Sequence, residues 1–231
     1  EPRHVRTEPH LAHVFDTAGH AGVDHSGGDH FPVGGYGGYV NAMAENLDIR
    51  LNHPVTEIHW DDTGVRLLAG EETFTGTHVI VTVPIGVLRQ GSITFDPPLS
   101  SERQQAIQRL DAANLEKVVL TWDEKWWDGS LEFVDANGEG IFPEFYDMSD
   151  LAGAPVLVCL YGGRFARDVQ ANWSDSQIIQ GALDTLQLAY GRNIPTPAAS
   201  HVTHWTTDPY TLGSYLYLPP GASPDDVNLL A

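Results

Sequence analysis

Positive charge is scarce in this 231-residue chain. Twelve lysines and arginines stand against 31 aspartates and glutamates, a formal net charge of −19 at pH 7. An acidic field repels phosphate backbones and anionic lipid surfaces, so neither nucleic acid nor a membrane is an expected partner. A cationic amine would be attracted, although acidic surfaces also simply confer solubility. Cysteine is almost absent too. Cys159 is alone, in the apolar run 155–160, which excludes an intrachain disulfide. It reads as a buried structural thiol and suits a reducing compartment, so a cytoplasmic location is the expectation. No apolar run is long enough to span a bilayer, and no signal peptide opens the chain. The first residue is Glu1 rather than methionine, so a preceding segment is expected.

Common catalytic signatures are missing as well. There is no Gly-x-Ser-x-Gly elbow, no His-Glu-x-x-His and no phosphate loop, which leaves serine hydrolase, zincin and nucleoside triphosphatase readings without support. No carboxylate pair is placed distinctively enough for glycoside hydrolysis. Six histidines (His4, His10, His13, His20, His25 and His30) crowd the first 30 residues, but their spacing matches no metal motif. A solvated connector is expected there, with no metal. Gly34, Gly35, Gly37 and Gly38 suggest a dinucleotide fingerprint, which would need a third glycine where Val40 stands. They read instead as a tight turn into a helix over Tyr39–Asn46.

What is present is a mixture of short strands and helices, pointing to a mixed α/β (α+β) fold. Strands are expected at Asp48–Leu51, Val55–Trp60, Val65–Leu68 and Thr73–Phe74, with a turn at Asp61–Gly64. The continuous apolar run His78–Val83 predicts a strand buried on both faces and ended by Pro84. Ser100 is placed to cap a helix over Ser101–Leu110. Further strands are expected at Leu131–Val134, Gly140–Tyr146, Val156–Tyr161 and Ser200–Trp205. Ser174 caps the clearest helix, Asp175–Tyr190. Its apolar face carries Ile178, Ile179, Ala182, Leu183, Leu186 and Ala189, and Gly191 stops it. A Gly/Pro-punctuated segment with Trp205, Tyr210, Tyr215 and Tyr217 follows, where aromatic walls suit a flat cofactor or a cation.

The chain has only two lysines, Lys117 and Lys125. Lys117 interrupts Leu115–Trp122, a strand pattern in which Leu115, Lys117, Val119 and Thr121 share one face. On a buried face an ammonium is costly unless it is paired or its charge is suppressed. Two readings stand side by side: a stem that is buried while the head reaches water, or a catalytic lysine beside a cofactor.

Three blocks in order weigh on that choice. The first is His78–Leu88 with Ile93–Leu99. The second is Asn114–Leu120 with Trp126-Trp127-Asp128. The third is Trp205–Tyr210 with Gly213-Ser214-Tyr215. Together they resemble the flavin-containing amine oxidase family, closest to its polyamine oxidase and lysine-specific histone demethylase branch, from about Gly27 to Ala231. The resemblance implies FAD as cofactor and a chain shared between two domains. Residues 1–30 form a connector at the edge of the substrate domain, 31–91 part of the FAD domain and 92–204 the substrate domain, with 205–231 returning to the FAD domain. It implies a catalytic role for Lys117 through a water on flavin N5. Val55, Thr82, Pro84, Trp205 and Tyr210 fall at positions beside the cofactor, and Tyr215 at the substrate channel. The chemistry implied is oxidation of the C–N bond of a primary or secondary amine or polyamine. A hydride equivalent passes to flavin N5, the imine hydrolyses, and O2 reoxidises the flavin to give H2O2.

Departures from the family pattern shape the expectation. The Gly-x-Gly-x-x-Gly fingerprint is absent, the closing Gly-Glu motif is not reached, and Leu212 stands where many relatives carry arginine. The expectation is therefore the central part of an amine oxidase: a fragment, a truncated product, or a subunit completed by a partner chain or further segments. By itself it should bind FAD poorly and be inactive. The competing reading is a catalytically silent domain of the same fold, kept for interaction and lacking FAD. A related flavin desaturase or isomerase is a third, opposed by the lysine block.

Overall fold

The computed structural model describes residues 35–128, 142 and 144–230. Among them the chain order is α1 (Tyr36–Ala44), β1 (Val55–Asp61), β2 (Gly64–Ala69), β3 (Glu72–Gly76), α2 (Ile85–Gln90), β4 (Thr94–Asp96), α3 (Ser101–Arg109), β5 (Asp111–Ala113) and β6 (Leu115–Thr121). Then come β7 (Glu144–Asp147), α4 (Ser149–Ala152), β8 (Val156–Gly162), α5 (Gly163–Asn172), α6 (Asp175–Tyr190), β9 (Ala199–Val202), β10 (Tyr215–Tyr217) and α7 (Pro224–Asn228). The strands form three sheets, ordered β3-β2-β1-β4, β10-β5 and β7-β8-β6-β9. This is the mixed α/β architecture that the pattern of elements predicts.

Two compact units divide the described residues. One takes in those of 35–49, 119–159 and 182–200; the other holds 50–118, 160–181 and 201–230. The second unit contains the first two sheets. β1 and β2 pair antiparallel across a turn fixed by Asp61, whose Oδ1 accepts from the Thr63 amide at 2.7 Å and from its hydroxyl. β3 extends this hairpin with Thr73 opposite Leu68 and Phe74 opposite Leu67, while β4 runs parallel to β1. A separate core joins α2, α3 and β5 through Ile85, Ile107, Leu110 and Ala112, with Val227 and Leu230 packed against it. Removing such aliphatic side chains from water stabilises by about 1.5–3 kcal/mol each. α7 is tied to α3 by Arg109, whose Nε donates to Asp226 Oδ1 at 2.9 Å. That guanidinium, and then the Ser223 amide, hold the Asp226 carboxyl below the usual carboxylate range. Ser223 and Asp226 also form a capping box at the start of α7.

In the first unit, Trp122, Trp126 and Trp127 meet edge to face with ring centroids 5.4–5.5 Å apart, and Tyr190 joins Trp126 at 5.1 Å. Trp122 Nε1 donates to the Pro195 carbonyl at 2.9 Å. Cys159 is fully buried, and burial, then the charge of Glu144, pushes its thiol well above the ordinary value. It is a structural thiol, as its apolar surroundings in sequence suggest.

Several expected elements differ. Residues 48–51 are exposed coil entering a turn, not a strand. The His78–Val83 run forms no strand: no described strand takes its hydrogen bonds, and Ile80 is 87% exposed. Apolar content alone predicted burial there, yet a strand is buried only when neighbours cover it. Ser200–Trp205 contributes a shorter strand, β9, because the chain turns at His204. α5 and α7 were not expected; α7 opens on Pro224, a residue favoured at the first helical position. Ser100 does cap α3, accepting from the Arg103 amide at 3.3 Å. α6 has its predicted bounds. Residues 131–134, and 140, 141 and 143 of the next expected strand, lie outside the described residues, as do the N-terminal histidines.

Candidate functional site: a cavity around Lys117

β6 carries the lysine, and its alternation is regular. Glu116, Val118 and Leu120 are buried, whereas Leu115, Lys117, Val119 and Thr121 are half-buried. The face assignment from sequence holds, but the expected burial is reversed: Lys117 sits on the more open face. The charge buried in this strand is Glu116, at 0% exposure. Sequence reasoning did not single it out.

Lys117 opens onto a cavity of about 640 Å³ within the second unit. Pro84 and Ile85 at the start of α2, with Val81 and Val83 before them, form one wall. Leu115 and Lys117 form another. Trp205 with Gly213, Ser214 and Tyr215 closes a third, and Leu230 lies at the edge. No lining residue is acidic. Among the described residues the Lys117 ammonium has neither a hydrogen-bond nor an ion-pair partner.

Four remote segments are held together by specific bonds. Lys117 and Thr203 exchange two: the Lys117 amide donates to Thr203 Oγ1 at 2.8 Å, and the Thr203 amide donates to the Lys117 carbonyl at 3.0 Å. Ser214 Oγ accepts from the Leu115 amide at 2.8 Å and donates to the Leu115 carbonyl at 2.7 Å. The Trp205 carbonyl accepts from the Gly213 amide and from Thr211 Oγ1, both at 2.7 Å. Gly86 lets α2 approach the 211–213 turn: a Cβ there would lie 2.7 Å from Leu212 Cβ and 2.8 Å from the Thr211 carbonyl oxygen.

Of the residues that the family resemblance points to, Pro84, Lys117, Trp205 and Tyr215 line this one cavity. Thr82 is exposed and does not line it, although its neighbours Val81 and Val83 do. Tyr210 is 66% exposed and Val55 begins β1, and neither lines the cavity. Leu88 and Ser214 stand in the family blocks without an assigned role, and Thr211 and Leu216 were not singled out from sequence; the fold brings all four here.

The sequence model of the flavin containing amine oxidoreductases matches residues 10–231. The chain belongs to the flavin-containing amine oxidase family. FAD is the cofactor of this family, and its members are oxidoreductases. Lysine-specific histone demethylase 1 homolog 1 of Oryza sativa subsp. japonica is 35% identical over 214 residues, covering 89% of this chain and 25% of the rice protein. Human lysine-specific histone demethylase 2 is 32% identical over 215 residues, covering 88% and 26%. The chain thus spans about a quarter of the length of these relatives. Among solved structures, a putrescine oxidase bound to putrescine superposes with a TM-score of 0.67 at 23% identity, over 80% of this chain and 42% of the other. Cyclohexylamine oxidase from Brevibacterium oxydans gives 0.60 at 23%, over 76% and 39%. These likenesses show a shared fold.

The cavity offers a direct test of fit to a flavin. Apolar walls from Val81, Ile85 and Leu115, the indole of Trp205 and a single ammonium suit a flat, electron-accepting ring. None of the lining residues is an arginine or part of a glycine-rich amide cradle, so the cavity fits the ring system and not the diphosphate. No described helix is long and apolar enough to cross a membrane.

Proposed function

We propose that this chain carries the Lys117 side of the active site of an FAD-dependent amine oxidase. Its substrate would be a small primary or secondary amine or a polyamine, with O2 as the second substrate and H2O2 as product. The observation that carries this reading is the meeting of one unpartnered ammonium, Lys117, with aromatic and aliphatic walls in one cavity. FAD, when bound, supplies the two-electron oxidation of the C–N bond and passes the electrons to oxygen. In this reading Lys117 takes the catalytic role, Val55, Thr82, Pro84, Trp205 and Tyr210 lie on the cofactor side, and Tyr215 meets the substrate. Residues 31–91 and 205–231 would belong to the FAD domain, and 92–204 to the substrate domain.

The chain's own residues contribute in three ways. Lys117 Nζ is a three-donor point charge on the cavity wall, able to order a water and to favour negative charge developing opposite it. The absence of acidic lining residues favours the amine in its neutral form, the form whose nitrogen lone pair is free for oxidation. Trp205 and Tyr215 add aromatic surface to the cavity wall, against which a flat ring or an alkyl amine can pack. The protein's acidic surface draws cationic amines toward it, and each gives up a proton before reacting.

The test is the full-length protein. It should purify yellow or take up added FAD, and release peroxide with an amine such as putrescine. A protein that stays colourless with FAD added would instead be the silent interaction domain.

A further inference from the structure

Glu116 has no part in the chemistry proposed above, yet its carboxylate accepts four hydrogen bonds. It is fully buried, on the face of β6 opposite Lys117. Its Oε2 accepts from Thr203 Oγ1 at 2.6 Å and from the Trp205 amide at 3.2 Å. Its Oε1 accepts from the Thr206 amide and from Thr206 Oγ1, both at 2.7 Å. Four donors thus fill the carboxylate, and none of them is a cation.

All four belong to the turn that presents Trp205. The other end of that residue is held by Gly213 and Thr211 at its carbonyl. A second support comes from Gln170, whose Nε2 donates to the Thr203 carbonyl at 3.0 Å. Gln170 grips the turn before Trp205 but does not touch the amides of Trp205 or Thr206. Those depend on Glu116.

We infer that Glu116 is a positioning residue: it sets the Trp205 indole against the cavity that Lys117 lines, so that two adjacent residues of β6 serve one site from opposite faces. The chemical requirement is an acceptor at both oxygens. Glutamine has the same shape but presents an NH2 group to one donor pair, whichever way its amide is turned. The hydroxyl of that pair can turn to accept from the NH2 group, but the part-buried backbone amide loses its acceptor and the turn must shift. The inference rests on the amine oxidase reading for its catalytic consequence, but not for its geometry.

The experiment uses the full-length protein labelled with 5-fluorotryptophan, the Trp205 resonance being assigned by its loss in Trp205→Phe. Glu116→Gln should move or split the Trp205 ¹⁹F resonance and leave those of Trp122 and Trp127 in place. With FAD bound, it should alter the visible flavin spectrum and lower kcat for amine oxidation at least tenfold. Thr206→Val keeps the backbone donor and loses only the hydroxyl. It should produce the same changes to a smaller degree, and it carries the test if Glu116→Gln does not fold. An unmoved Trp205 resonance in Thr206→Val and in any folded Glu116→Gln, with only thermal stability lowered, would overturn the inference. The ¹⁹F signal needs neither FAD nor an amine. A wild-type protein that takes up no FAD therefore sinks the proposed function without touching this result.

Discussion

Acid should reveal how strongly Asp147 anchors its unit. Its Oδ2 accepts from Lys125 Nζ at 2.7 Å and from Trp127 Nε1 at 2.8 Å; its Oδ1 accepts from the Ser149 amide at 3.0 Å and from the Ser149 hydroxyl. Burial pushes the carboxyl pKa up, but the bonds from Lys125, Ser149 and Trp127 outweigh it and lower the pKa from 3.8 to about 2. A group whose pKa is depressed by folding stabilises the native state above its unfolded pKa, and that stability is lost as pH falls through the folded value. At 1.36 kcal/mol per unit, the shift corresponds to about 2 kcal/mol. About half of it should be gone near pH 3, and most near pH 2. Urea unfolding followed by tryptophan fluorescence, for the wild type and Asp147→Asn, isolates this group from the other carboxylates. The wild-type advantage should shrink by about 2 kcal/mol between about pH 5.5 and pH 2. If the two stability curves stay parallel over that range, the network does not favour the ionised carboxylate and the reasoning fails.

Two further outcomes test the site and its frame. Lys117→Met in the full-length protein should slow flavin reduction or reoxidation more than tenfold, about 1.4 kcal/mol or more of barrier; stopped-flow traces unchanged in both half-reactions would return Lys117 to a structural role. Gly86→Ala should destabilise by about 2 kcal/mol, because its Cβ would press on Leu212 and on the Thr211 carbonyl, neither of which is a flexible side-chain end. An unaltered urea midpoint would show that α2 and the 211–213 turn separate easily.

Local signals explain which elements could be read in advance. α6 follows from a cap, an apolar stripe and a stop: Gln177 Oε1 accepts from the Ser174 amide at 2.9 Å, and Gly191 takes φ 61°. The β1–β2 hairpin follows from alternation around an Asp-rich turn. Each depends on residues a few positions apart, so the chain carries the answer locally. The His78–Val83 run fails for the opposite reason. Its apolar character calls for cover, but whether cover exists depends on strands elsewhere, and none among the described residues supplies it.

Composition and motif order alone determined the acidic character, the lack of an intrachain disulfide, the mixed α/β class and the amine oxidase family. They also singled out Lys117 by its rarity. Only the tertiary structure decided which side of β6 is buried, and it is Glu116 that the protein sequesters. Only the structure brings Pro84, Lys117, Trp205 and Tyr215, distant in sequence, around one cavity. The physical reason is that alternation in a strand defines two faces but does not say which one meets solvent. That choice belongs to the packing. Here the turn at 203–206 brings four donors to one face, and a buried carboxylate is stable only where such donors converge.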